Sequence, residues 1–381
     1  MAHNDTKKTV RTLGFASFFN DLGSDMIYPV WPLFLTTVLG ANMAVVGFID
    51  GLGEALVSIS QAVSGYLSDR IRKRKAFIWL GYFFAVFARI GYALSTTWHQ
   101  VIPFRILDRT GKIRGAPRDA IIADISTVEN RGTHFGYLRM MDNLGAVCGI
   151  IVCIVLFRYL GYRKLFMIAA IPSVIAMVCV LLFLKEKKKE TRIYEGFSLK
   201  NLDTHFKILL ISSALFALGS FSYSFLLIFA HHFGFQTAFV PVLYLIFTAV
   251  ASLTSLPFGR LSDKMGRKPF MMLSFLMWGA VCLSFIFTRS HMAIILTFAL
   301  YGVHKGALDT IQRTYASELC PVMYRASSLG TFQMVIGLCA LPASLIAGIL
   351  WDQIGIFTPF YFSLILTILS IILLLFVKET C

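Results

Sequence analysis

Gly65-Tyr-Leu-Ser-Asp69-Arg-Ile-Arg-Lys-Arg-Lys75 returns 194 residues later as Gly259-Arg-Leu-Ser-Asp263-Lys-Met-Gly-Arg267-Lys-Pro269. Other landmarks keep the same offset: Asp124 maps to Glu318, Arg131 to Arg325 and Gly136 to Gly330. A chain that repeats its charged landmarks over half its length is two copies of one unit. Each copy of the motif sits between long apolar runs, so the repeating unit is a membrane bundle.

Composition leads to the same class. The 381 residues are 57% hydrophobic and 14% charged, with a mean hydropathy of +0.73, far outside the range of soluble domains. Twelve apolar stretches approach the twenty residues a bilayer crossing needs: 13–39, 43–67, 76–95, 98–123, 133–157, 164–184, 206–231, 239–259, 270–288, 291–316, 326–350 and 356–377. At this length only helices satisfy the backbone in lipid, which predicts an all-α membrane protein. No cleavable signal peptide is expected, because the segment after Lys7, Lys8 and Arg11 is too long and too polar at its centre.

Basic residues fall on one side of these crossings: Lys7, Lys8 and Arg11, the Arg70–Lys75 cluster, the 185–192 run, and Arg260 to Lys268. The opposite loops carry only Arg158, Arg163, Lys164 and Arg289. Positive loops stay in the cytoplasm, so both termini are expected there. This bias accounts for most of the net charge of +15 and suits contact with anionic membrane lipids. The cations are scattered over short loops, so a nucleic-acid partner is not expected. The seven cysteines form no CxxC pair and read as small apolar residues, so no metal or redox site is expected. Direct use of ATP is not expected, since Asp108-Arg-Thr-Gly-Lys112 lacks the upstream glycine and following Ser or Thr of a phosphate loop. No nucleophile–base constellation appears either, so an enzyme is not expected.

The repeated block resembles the cytoplasmic loop signature of the major facilitator superfamily, G-x-L-[SA]-D-[RK]-x-G-[RK]-[RK], which lies between the second and third helices of each half. The C-terminal copy fits it throughout, whereas the N-terminal copy has Arg72 where the family has glycine. The resemblance implies twelve transmembrane helices in two pseudo-symmetric six-helix bundles: residues 1–184, a charged linker at 185–205, and 206–381. It implies a cytoplasmic gate at Gly65, Asp69, Arg70, Arg74, Gly259, Asp263, Lys264 and Arg267. It also implies a monomer in a bacterial cytoplasmic membrane, whose central cavity is lined by helices 1, 4, 7 and 10. Gly136-x8-Gly145-x3-Gly149 resembles the family's antiporter motif, with Ile150 in place of its proline; close packing of two helices is the plainer reading.

Charge inside the apolar spans marks the candidate site, because a retained intramembrane charge is functional by default. Asp21 and Asp25 share a face of helix 1 at i, i+4, where mutual repulsion and desolvation favour proton exchange. With Glu54 in helix 2 they form the predicted proton-coupling set. In helix 4, Arg105, Asp108, Arg109 and Lys112 make one charged stripe. Depth matching places Asp25 level with Arg109 or Lys112, and Asp21 level with Arg114 or Arg118. Arg89 in helix 3, expected to snorkel outward, joins the predicted substrate-binding set. So do Arg139 and Asp142 in helix 5 and Lys305 and Asp309 in helix 10. His304 could titrate near neutral pH, although a lone histidine on an apolar helix is more often a packed residue.

Arginine favours carboxylate or phosphate recognition, so the expected solute is small, organic and anionic or zwitterionic, such as a metal-chelating polycarboxylate. It would move by proton-coupled alternating access, with export by antiport one direction. Aromatic residues of helix 1, among them Tyr28 and Trp31, leave open a multidrug antiporter for lipophilic cations. A lysolipid or lipid flippase and a non-transporting receptor are the remaining readings. No cofactor is expected.

Overall fold

A computed structural model describes residues 2–71, 73–127, 130–184, 203–319 and 325–378. Among them every regular element is helical. In chain order these are α1 (Ala2–Asp25), α2 (Trp31–Leu33) running into a π-helix (Phe34–Val38), α3 (Met43–Ile71), α4 (Arg74–Leu94) and α5 (Trp98–Thr110). A 3-10 turn (Gly111–Arg114), α6 (Gly115–Ile125) and α7 (Arg131–Phe183) follow. The chain continues with α8 (Thr204–Gly219), α9 (Tyr223–His232), α10 (Val240–Met265) and α11 (Arg267–Phe287). It ends with α12 (His291–Glu318), α13 (Arg325–Gln353) and α14 (Thr358–Leu375). Gly161, at φ +65°, divides α7 into two helices. Counting α1 with α2, α5 with α6, and α8 with α9 as single interrupted crossings gives twelve.

Nine described segments are long and apolar enough to cross a membrane, and the two parts of α7 make one of the nine. The expected crossings missing from this set are helices 1 and 4, the two that carry the dense intramembrane charge. Both are interrupted. Helix 1 stops at Asp25 and resumes at Trp31, across a turn holding Pro29 and ahead of Pro32, residues that lack the N–H an α-helix interior needs. Helix 4 tightens into its 3-10 turn at Gly111.

The chain divides into two compact units, Met1–Gly40 with Leu56–Glu195, and Ala41–Ala55 with Gly196–Cys381. In the first, Val10, Leu13, Ile78, Tyr82, Ile122, Leu138 and Val180 form a core shared by α1, α4, α6 and α7. In the second, the core is aromatic: Phe216 stacks on Phe275 at 3.9 Å, and Phe360 meets Phe221 and Phe229 edge-on.

The 194-residue repeat extends to the backbone. α1 ends at Asp25 and α8 at Gly219, the corresponding position. Left-handed glycines recur as Gly40 with Gly234 and Gly161 with Gly355, where a side chain would be strained. Gly266 is left-handed too, at φ +94°, and ends α10. Its counterpart Arg72 lies outside the described residues, as do linker residues 185–202.

Candidate functional site

In the first unit, α1 brings Asn20, Asp21, Ser24 and Asp25 to the edge of its interruption. Asp21 and Asp25 are half-buried, and Asp21 accepts a 3.0 Å hydrogen bond from the Asn20 amide. Arg89 departs from expectation. It does not snorkel; it is 1% exposed. Its guanidinium donates to Asn20 O and Ala169 O at 2.9 Å, to Ser24 Oγ at 2.8 Å, to Asn20 Oδ1 at 3.4 Å, and to Ser173 Oγ. A buried charge is tolerated when its donors are satisfied, and here neutral oxygens from α1 and α7 do so. Arg89 ties α1, α4 and α7 together.

The helix 4 stripe is buried as well. Arg105 lies 4.7 Å from the Trp31 ring centre and Arg109 5.1 Å from that of Tyr28. Arg109 sits 3.8 Å from Asp108. The helix 1 aromatics weighed as a surface for cationic solutes thus receive the protein's own arginines. Lys112 is half-buried.

Further along, Arg118 pairs with Asp119 at 3.1 Å and Asp142 at 3.2 Å rather than with Asp21. Arg139 adds contacts to Asp142 at 3.4 Å and Asp119 at 3.7 Å, and Ser17 bonds both Arg118 and Asp142. Arg139 is 59% exposed, the most open of these cations. Arg114 is buried over the Tyr82 ring and donates to Gly111 O at 2.8 Å. This is a closed network joining α1, α6 and α7.

The second unit contains a residue that the sequence reading missed. Asp50, on the part of α3 that belongs to this unit, is 3% exposed. Its carboxylate accepts hydrogen bonds from Ser222 Oγ at 2.8 Å and from Ser224 Oγ, at the interruption between α8 and α9. Ser222 also caps α9 by accepting from the Ser224 N–H. A carboxylate at a helix N-terminus is favoured by the aligned peptide dipoles. The available signal was its i, i+4 spacing from Glu54 in an apolar span.

Lys305 and Asp309 approach to 3.6 Å with 44% and 55% of their side chains exposed. Glu54, on the part of α3 that belongs to this unit, is also exposed. These three are the accessible charged candidates of this unit. Of the two readings, the structure has the packed one for His304. It is 1% exposed, Nδ1 lies 2.8 Å from Ser274 O, and the Trp278 and Phe216 rings flank it.

The two gate motifs make matched contacts. Arg74 pairs with Asp124 at 2.5 Å, and Arg267 with Glu318 at 3.0 Å and with Asp263. Lys75 donates to Leu181 O at 2.9 Å; Lys268 donates to Leu375 O at 2.7 Å and Val377 O at 2.8 Å. A lysine thus caps the carbonyl end of the last helix in each unit, where a cation is favoured. Arg74 and Lys75 stand at an offset one shorter than 194 from Arg267 and Lys268, so the first copy has an extra residue in its turn. Gly65 packs on Ala116 and Gly259 on Thr310, again 194 apart. Arg70 and Lys264 are exposed. The Asp69 side chain lies outside the described residues, with those of Arg131 and Arg325.

The glycine motif of helix 5 is explained by packing. A Cβ at Gly145 would strike the backbone of Phe18, and one at Gly149 that of Leu22, while Gly136 has open space around it. Among the described residues no group of His, Cys, Asp or Glu could hold a metal ion.

The sequence profile of the Major Facilitator Superfamily matches residues 13–208 and 209–380, one match per copy of the repeat. An uncharacterised MFS-type transporter of Methanocaldococcus jannaschii is 37% identical over 98% of this chain and 96% of its own. Multidrug resistance protein 1 of Bacillus subtilis is 24% identical over 93% and 92%. Among solved structures, that of the nucleoside transporter NupG superposes with a TM-score of 0.80 at 17% identity, over 96% and 97% of the two chains.

Proposed function

The chain belongs to the Major Facilitator Superfamily, a family of multi-pass membrane transporters rather than enzymes, and from that premise we propose a gradient-driven, proton-coupled carrier of a small organic solute working by alternating access. The observation that carries this reading is the pair of interrupted first helices. Discontinuous helices at matching places in two repeats mark solute and ion sites in secondary transporters, because unwound backbone persists only beside a cavity or protein. Asp21 and Asp25 stand at the first interruption, in the position of a proton-coupling pair, with Glu54 as a third carboxylate. Lys305, Asp309 and Arg139 are exposed enough to meet a solute, and they suit a zwitterion or anion. The carrier is proposed as a monomer of the bacterial cytoplasmic membrane with both termini inside.

A second reading, export of lipophilic cations by proton antiport, is favoured by one feature of the first unit. Arg105 and Arg109 are buried against Trp31 and Tyr28, so the half-buried Asp21 and Asp25 are more accessible than these two arginines. The similarity to the Bacillus subtilis multidrug resistance protein runs the same way.

The test is flux into proteoliposomes under an imposed pH gradient, comparing di- and tricarboxylates with lipophilic cations and lysolipids. Asp21→Asn and Asp25→Asn are each expected to reduce gradient-driven flux at least tenfold and to spare solute exchange at equal pH. Unchanged gradient-driven flux in both variants would remove the coupling assignment. The solute class follows from which compound moves.

A further inference from the structure

A cavity of about 640 Å³ opens in the first unit between the start of α1 and the end of α7, lined by Lys7, Lys8, Arg11, Phe15, Phe19 and Phe183 together with Thr12 and Cys179. Its residues are ordered by polarity. Lys7, Arg11, Phe15 and Phe19 follow one another at four-residue steps, so they descend one face of α1 over about 18 Å. Cys179 and Phe183, also four apart, come from α7. The cations Lys7, Lys8 and Arg11 are exposed. Phe15 and Phe183 are about half exposed, at 48% and 50%. Among the described lining residues none is acidic.

From this arrangement we propose that the cavity binds an anionic phospholipid, with the phosphate against Lys7, Lys8 and Arg11 and an acyl chain along Phe15, Phe19 and Phe183. Three cations, with no acidic residue among the described lining, match a phosphate, and basic pockets beside transmembrane helices recognise anionic headgroups. A soluble anion would use the cationic end only. The phenylalanines supply an apolar surface along which a chain packs by van der Waals contact. The bound lipid is a resident of the bundle rim rather than cargo, since none of the charges assigned to solute or proton handling lines the cavity.

The test uses the full-length purified protein. Its thermal midpoint and its lipid adducts by native mass spectrometry are followed with phosphatidylglycerol, with phosphatidylcholine of the same chains, and with inorganic phosphate. Phosphatidylglycerol is expected to bind and stabilise, and the other two to do neither. Each cation removed, as Lys7→Gln, Lys8→Gln or Arg11→Gln, is expected to weaken binding roughly fivefold, and the triple variant on the order of a hundredfold. All three positions are exposed, so the lipid-free midpoint should not move. Phe15→Ala is expected to weaken phosphatidylglycerol binding with the cations intact. Equal binding of the two phospholipids, undiminished binding by the triple variant, or a response to phosphate equal to that to phosphatidylglycerol would each overturn the proposal.

Discussion

Arg89 and Asp50 show how a buried charge at membrane depth is met by neutral oxygens. Arg89 gives its protons to two carbonyls, two hydroxyls and an amide oxygen, and Asp50 takes protons from two serines. Arg89→Leu leaves the acceptors of Asn20, Ser24 and Ser173 without their donor, so a loss on the order of 3 kcal/mol is expected, measured by thermal unfolding in detergent. Arg89→Lys should recover only part of this, because an ammonium offers three donors without the planar fork. A full recovery would mean that charge rather than geometry is what the site requires. Neither environment was legible in the sequence. A search for partners looks for opposite charge, and the side chains that satisfy Arg89 carry none.

Between residue and molecule, the helices were legible and their interruptions were not. A bilayer-length average over twenty residues does not register the short turn between α1 and α2, although Pro29 and Pro32 stand beside it. The same averaging hid the break at Ser220–Ser222, where no proline marks it. Within the charged stripe of helix 4, Arg105 and Arg109 face the rings of Trp31 and Tyr28, while the Asp142 carboxylate takes Arg118 further along. The helix 5 glycines give an internal contrast. Gly145→Ala and Gly149→Ala force a methyl against the α1 backbone and should destabilise by several kcal/mol. Gly136→Ala meets open space in the same helix and should be neutral or stabilising by up to about 1 kcal/mol. Equal losses at all three positions, read from thermal midpoints, would contradict the α1–α7 packing.

At the scale of the whole molecule, the two copies have kept the same internal fastenings. Arg74 with Asp124 and Arg267 with Glu318 belong to separate units. Arg74→Gln and Arg267→Gln should therefore lower stability by similar amounts, and the double variant by their sum within about 0.5 kcal/mol. A larger coupling energy in that cycle would show that the two fastenings act as one. The repeat itself was fully legible, because its landmarks are charged and the offset is constant. The extra turn residue of the first copy was not, since only the contacts of Arg74 and Lys75 reveal it. The charge carried by helices 1 and 4 also constrains how the protein is made. Each Arg, Lys or Asp resists partition from the translocon by about 3 kcal/mol at the bilayer centre, so neither helix should enter lipid alone as it leaves the ribosome. Helix 4 would wait at the lateral gate for Asp142 of helix 5, the partner of its Arg118. Biogenesis of the first unit then proceeds by cohorts of helices rather than one span at a time.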